Sequence, residues 1–539
     1  PRILAAALLV ASTSLAAADA PAPAAVPLFD NLGTWHHAVT TKSPLAQKYF
    51  DQGLRLMYGF NHDEARRAFD EAARLDPDCA MAFWGSALTL GPNYNMAMEP
   101  DAVKAAYASM KRAVALAPKT TPAERAYIDA LSHRYSDDPN ADRKALDAAY
   151  ADAMRGVAKS FPNDSDALTL FAESMMDLRP WDLWTKDGKM QPGTGELIAS
   201  LEAALKIAPD NPGANHFYMH AVEMSPNPEK GLEAALRLPK LVPGAGHLVH
   251  MPGHIYMRMG RYGDAAAANV PAIEADRKYI AAANPPGMYP MMYYPHNIHF
   301  LWSASMMAGR SADALKASKD LEQAVPDEAK KGMPMLEYFS NTTIFTLVRF
   351  GKWDDALALP APPPELKYTT AIWRYARGVA FAAKGLVTEA KKEQSAFDTA
   401  AATVAPDFQV VNNTAGNLLK VARGQLAGAI AAAGGDHENA IERLTEAVAA
   451  QDALVYDEPP PWYYPVRETL GAALIAAGKW SEAEAVYRKD LEVNPESGWS
   501  LHGLALCLDH AGSTEAAAVK ARFDKAWATA DVKLAGARF

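Results

Sequence analysis

Cysteine is nearly missing from this chain: 539 residues hold only Cys79 and Cys507, more than 400 positions apart. That scarcity excludes a disulfide-stapled scaffold and a thiolate metal knuckle, and each thiol stands in an apolar helical pattern that suits burial. Long apolar runs are missing as well. After the first 20 residues nothing is apolar over the roughly 20 positions that a membrane-spanning helix requires. Dense blocks of Lys and Arg do not occur, and 53 basic against 63 acidic residues leave a net charge of -10. Such a surface argues against a phosphate backbone as the main partner, so no nucleic acid is expected. Also absent are a Gly-x-Ser-x-Gly elbow, a His-Glu-x-x-His helix, a Cys-x-x-Cys-His haem attachment and a dinucleotide fingerprint. No segment alternates with the period of a strand, which leaves helices.

The first residues carry the one apolar stretch. Arg2 precedes Ile3 to Ala11, followed by small residues and the triplet Ala18-Asp19-Ala20, the layout of a secretory signal with its cleavage site. A signal peptide is therefore expected over 1–20, with a mature chain that starts near Pro21 and a periplasmic or secreted destination.

A repeat follows, written in small residues and prolines. Between Gln47 and Pro77, the residues Gly53, Ala65, Phe69, Ala72 and Pro77 are spaced so that two antiparallel helices approach closely, an aromatic ring fills their seam, and proline stops the second helix. Gly85 carries the phase into the next unit. Near the other end Gly471, Ala483, Tyr487 and Pro495 repeat the pattern, followed by Trp499 and Gly503. Weaker copies occur around 204–209, 261–272, 378–390 and 428–447. On these residues the chain resembles the tetratricopeptide (TPR) repeat family. The resemblance implies an all-α, right-handed solenoid of helical hairpins whose first helices line the concave face. The expected divisions are a lead-in over 21–45, N-terminal repeats with an aromatic loop over 46–200, central His-rich repeats over 201–325, and C-terminal repeats over 326–539. Stretches that depart from the plain repeat, at 91–100, 179–194, 284–295, 360–364 and 457–465, are rich in aromatics and Met, so they are expected to be ordered.

Histidine is concentrated in the centre. Seven of the fourteen fall between His216 and His299, where even spreading would give about two. His216, His220 and Glu223 stand at i, i+4, i+7; His247, His250 and His254 at i, i+3, i+7; His296 and His299 at i, i+3. On a helix each group shares one face, close enough for two imidazoles to meet one ion. Pro209, the turn at Gly260 and the turn at Gly309 place all three groups on consecutive first helices, which the repeat geometry sets side by side. A transition-metal site with His216, His220, His250, His254, His296 and His299 as ligands is expected, one ion or two, with His247 a further ligand or a group behind the ligands. Glu223 is the candidate general base. Imidazole donors point to copper or zinc, then iron. The paired His-x-x-x-His helices resemble coupled dicopper proteins such as tyrosinases and haemocyanins, in ligand spacing alone. Met288, Met291 and Met292 crowd the same region, either as thioether donors or as core filler.

Two other readings stand beside a metal-dependent oxidase or hydrolase. One is a scaffold whose groove takes a peptide or partner protein; the other is a copper-handling protein without catalysis. A small molecule or peptide is the expected occupant of the groove. His36, His37 and His62 are outlying candidates, and the loop from Glu173 to Trp184 and the segment from Asp457 to Tyr464 offer acids beside aromatic rings.

Overall fold

The computed structural model describes residues 26–138, 140–285, 287–534, 536 and 537. The expected signal peptide lies outside the described residues. From Pro44 onward the chain folds into antiparallel helical hairpins laid side by side, the TPR-like solenoid that the repeat pattern implies. Among the described residues the extended pairing consists of a two-residue antiparallel pair, Gln409–Val410 with Asn413–Thr414, at a tight turn through Val411, and two isolated bridges, Asn93 with Met96 and Trp184 with Met190. Both cysteines are buried and unpaired.

The Gly-aromatic-Gly spacing explains the hairpins at each end. Helix Pro44–Tyr58 packs on His62–Leu75, which packs on Ala80–Thr89. The Phe69 ring of the middle helix is wedged between Gly53 and Gly85, where an added Cβ would lie 2.7 and 2.5 Å from ring atoms. Tyr487 stands in the same relation to Gly471 and Gly503, at 2.4 and 2.2 Å. Two copies of one wedge, more than 400 residues apart in sequence, hold the two ends of the array.

The array curls back on itself. The Tyr262 hydroxyl donates to the Pro495 carbonyl (3.0 Å), the Trp499 indole to the Met306 carbonyl (3.2 Å), and Asp531 accepts from the Ser311 and Ala312 amides (2.7 and 2.8 Å). Lys186, in the aromatic loop of the N-terminal repeats, donates to the Asp452 carbonyl at 2.8 Å. The apolar core accordingly runs in two large sections, one from Leu32 to Tyr293 and one from Ile273 to Val519, which meet at the central repeats.

The lead-in before Pro44 is held by buried carboxylates. Asp166 accepts from the Trp35 indole, the Tyr58 hydroxyl, the Asn211 amide and His37 Nδ1 (3.2, 2.7, 2.9 and 2.8 Å), while His36 pairs with Asp51. Burial alone would lower the His37 pKa, but the bond and charge of Asp166 outweigh it and raise the value above 6.5. The pairing therefore contributes its full stability below the free imidazole value of about 6.5 and loses it as pH rises through the raised value.

Two outcomes follow from this packing. Gly503→Ala, which in an exposed helix would stabilise by about 1 kcal/mol, will instead cost ~1–3 kcal/mol because its methyl has no room beside Tyr487. A denaturation midpoint that stays or rises would refute the wedge. His37→Gln will flatten the rise of the melting temperature as pH falls from about 8 to 6, and an unchanged pH profile would show that this pair does not hold the lead-in.

Candidate metal centre

Three hairpins supply the centre. Helix Pro212–Glu223 is opened by Asn211, whose side chain accepts from the Ala214 amide at 2.9 Å, and by Pro212 at its first position. It pairs with Leu232–Leu241. The next first helix is interrupted: Gly246–His250 and Pro252–Arg258 flank Met251, whose φ of -51° and ψ of -34° keep the helical path. Pro252 carries no amide proton, which accounts for the break, and His250 and His254 stay one turn apart across it. Their partner is Tyr262–Ala283. The third, Tyr294–Met307, is preceded by a π-turn over Tyr289–Tyr293 and pairs with Ser311–Ala324. The three His-bearing helices are thus consecutive first helices, as the repeat phase requires.

Their imidazoles converge. His216, His220 and His247 form one set and His250, His254 and His296 another, with the ligand atoms of each within 4.8 Å of one another. Within the sets Nε2 atoms face Nε2 atoms: His216 and His247 at 3.1 Å, His250 and His254 at 2.8 Å, His250 and His296 at 3.2 Å. Two nitrogens on one tetrahedral ion, each ~2.0–2.1 Å from it, lie about 3.3 Å apart. His216, His220, His247, His250 and His254 are no more than 2% exposed.

The far sides of the rings fix which nitrogen is bare. His216 Nδ1 donates to the Tyr58 carbonyl (2.6 Å), His220 Nδ1 to Glu223 Oε1 (3.0 Å) and His250 Nδ1 to Asn269 Oδ1 (2.9 Å). The Asn269 amide is oriented by donating to the Ala265 carbonyl at 2.8 Å, so its oxygen is the atom that faces His250. His254 Nδ1 lies 2.6 Å from Glu223 Oε2. Next to an anionic oxygen at that distance the nitrogen must carry the proton. Four rings therefore hold their protons on Nδ1 and aim Nε2 lone pairs inward, the arrangement in which imidazoles are oriented for a metal. Facing lone pairs at 2.8 Å repel unless a proton or a metal cation lies between them, and His254, drawn toward protonation by Glu223, is the ring that can carry such a proton.

Glu223 joins the two sets. It touches one ring from each, and although burial would raise its carboxyl, His254 and His220 outweigh that and hold it at about 2. Burial, followed by neighbouring imidazoles, pushes His216, His247, His250 and His296 well below the usual histidine value. Burial opposes protonation of His254 too, but Glu223 outweighs it and raises that ring. His247 is placed by its backbone: Gly246 leaves room for Asp276, whose carboxylate accepts from the Tyr289 hydroxyl at 2.8 Å, and that hydroxyl accepts from the His247 amide at 3.2 Å.

Of the expected ligands, His299 alone stands outside both sets. It stacks on Trp302 and meets the edges of Tyr338, Phe339 and Tyr463, and burial lowers its pKa to about 3. His247, expected as a ligand or a group behind the ligands, faces His216 directly. His36 and His37 belong to the lead-in, and the half-buried His62 stacks on Phe60, whose ring in turn packs on His216, His220 and His247.

A cavity of about 600 Å³ opens on the two sets, lined by His220, His247, His254 and His296 on one side and by Asp457, Glu458 and Tyr463 on the other. The 457–463 segment reaches it because the C-terminal repeats curl back over the centre. Glu458 accepts from the Tyr456 hydroxyl through one oxygen; the other is buried and unpaired. Burial raises this carboxyl to about 7, despite the opposing pull of His254.

Neither a family model nor a curated protein matches the chain in sequence. Among solved structures it is similar to the Cut9–Hcn1 hetero-tetramer of the APC/C (12% identity over 90% of this chain and 74% of that chain, TM-score 0.30). It is also similar to human IFIT1 with m7Gppp-AAAA (13%, 92% and 92%, TM-score 0.33) and to yeast Tom70 (11%, 89% and 90%, TM-score 0.29). At these scores the likenesses carry no argument about the centre.

Because Glu223 orients one ring of each set, Glu223→Gln will weaken metal binding about 10- to 100-fold, at both sets, in competition with a chromophoric chelator. Loss at a single set would show that the carboxylate does not couple them.

Proposed function

We propose that this chain is a metalloprotein whose two three-histidine sets hold a pair of transition-metal ions, and that the pair acts on a small molecule in the adjoining cavity. The observation that carries this reading is the facing of Nε2 atoms across 2.8 to 3.2 Å, with Nδ1 of His216 and His250 bonded to Tyr58 and Asn269 and that of His254 set against Glu223. Six imidazoles without a thiolate donor, with Glu223 as the one carboxylate close enough to join His220 and His254, suit copper first, then zinc, with iron behind. Bound copper would supply one-electron steps to dioxygen, and bound zinc an activated water. The chain's own contribution is orientation and exclusion of water. Tyr58, Asn269 and Glu223 hold the rings, and the 457–463 segment closes the cavity opposite them.

Glu223 is the candidate general base, but one of its oxygens accepts from His220, the other lies 2.6 Å from His254 Nδ1, and it does not line the cavity. We assign it to positioning. The proton-moving role passes to Glu458, which lines the cavity, has one free oxygen and is held near 7.

A scaffold that binds a peptide or partner protein draws support from the helical-hairpin array itself. The burial of five of the six histidines at 2% exposure or less speaks against their forming a peptide-contacting wall.

Elemental analysis of natively purified protein will give about two equivalents of transition metal per chain, and His250→Ala with His254→Ala about one. Metal-free wild type that also takes up no copper, zinc or iron ends the reading. Full metal retention by the double variant would show that other residues are the ligands. Oxygen uptake with a bound organic substrate separates an oxidase from a copper carrier, and hydrolysis in zinc-loaded protein would favour the second chemistry.

A further inference from the structure

The cavity wall has a composition that the histidine sets do not explain. Six of its 26 lining residues are methionine: Met96, Met98, Met288, Met292, Met333 and Met335. With 21 methionines among 539 residues, about one would be expected. They come as three pairs from three separate connections, the loop over 91–99, the approach to the π-turn Tyr289–Tyr293, and the start of the 3-10 turn Pro334–Asn341. None of the six is buried, and Met335 is 38% exposed. Met219 and Met251, by contrast, are fully buried in the core. Met98, Met292 and Met333 pack in part against the core, but that packing does not require sulfur, since Leu would cover a similar area.

The pairs lead toward the imidazoles. Met292 precedes His296 by four residues on one continuous helical path, and both line the cavity. The loop carrying Met96 and Met98 is held in place: Asn93 Oδ1 accepts from the Asn95 and Met96 amides at 2.9 and 3.1 Å, and the Asn95 side chain donates to the Tyr293 hydroxyl at 3.2 Å. Thioethers are soft, uncharged donors. They select a soft monovalent ion over zinc and cost no proton on binding.

We propose that Met96, Met288, Met292, Met333 and Met335 form an entrance site for Cu(I), which binds thioether sulfur in the cavity and passes by ligand exchange through Met292 to His296 and its set; the Met98 sulfur, which accepts from the Arg143 guanidinium at 3.5 Å, stands outside it. The entrance site stands on the lining residues alone. The onward step rests on the metal centre proposed above.

The test is anaerobic titration of metal-free protein with Cu(I) against a chromophoric Cu(I) chelator, read together with X-ray absorption at the copper edge. Replacing these five residues, Met→Leu, keeps the apolar volume and removes only the sulfur; Met96→Leu with Met335→Leu serves as a milder variant should the fivefold change disturb folding. Wild type will show sulfur scatterers, and the Leu variants will lose them and bind Cu(I) at least about tenfold more weakly, while Zn(II) uptake is unchanged. Nitrogen and oxygen scatterers alone in wild type, or equal Cu(I) affinity in the Leu variants, would overturn the proposal. His250→Ala with His254→Ala separates the two ideas. If no histidine-bound metal is found in any sample while the sulfur signature persists, the centre fails and the entrance stands. If histidines hold metal without a sulfur signature, the entrance fails.

Discussion

Everything in the middle of this molecule is arranged around one electrostatic conflict: lone pairs of neutral imidazoles pointed at one another where water cannot separate them. Desolvation disfavours imidazolium, so the rings cannot all resolve the repulsion by protonation. A hydrogen bond from Nδ1 to an acceptor leaves Nε2 as the bare atom; three such bonds go to a backbone carbonyl, an asparagine and one oxygen of Glu223, and the other oxygen of Glu223 lies 2.6 Å from His254 Nδ1. Only one ring, His254, is drawn toward protonation, by Glu223. A proton on His254 can relieve the contact with His250, and a metal cation, as proposed, would relieve the facing pairs of both sets.

A repeat array is well suited to build such a place. Each hairpin contributes one first helix, a helix puts residues i and i+4 on one side, and consecutive hairpins set these sides next to one another. Two ligands from Pro212–Glu223 and two that straddle Met251 are thereby fixed by backbone geometry, and His247 and His296 each complete a set. The second helices supply the supports. Asn269 and Asp276 both stand on Tyr262–Ala283, and one holds His250 while the other, through Tyr289, holds the His247 backbone.

Much of this was legible in the sequence, and the reasons differ by element. The hairpins were readable because Gly53, Phe69 and Gly85 express close packing as spacing, and Gly471, Tyr487 and Gly503 repeat it. The histidine faces were readable because the repeat phase told which helices are neighbours. His299 was not placed correctly by spacing alone: three residues after His296 it points across to the Trp302 and Tyr463 rings, since a step of three turns a side chain some 60° short of a full helical turn. Asn269 and Tyr58 left no signal, as their roles depend on contacts between hairpins. Glu458 was visible as an acid in an aromatic edge, but its position opposite the histidines depends on how far the array curls.

That curl deserves the weight of a structural element. The two halves of the chain make separate core sections, and the cavity lies where they meet, with the imidazoles from the central repeats on one wall and residues 457–463 on the other. In a solenoid the relation between distant repeats is the sum of many small rotations, so a wall drawn from both would drift with any change of curvature. The bonds from Tyr262 to Pro495, Trp499 to Met306 and Lys186 to Asp452 tie the far repeats directly to the near ones. They convert an extensible array into a closed frame, and it is the closure that turns a row of histidines on an inner surface into an enclosed chamber with an acid facing them.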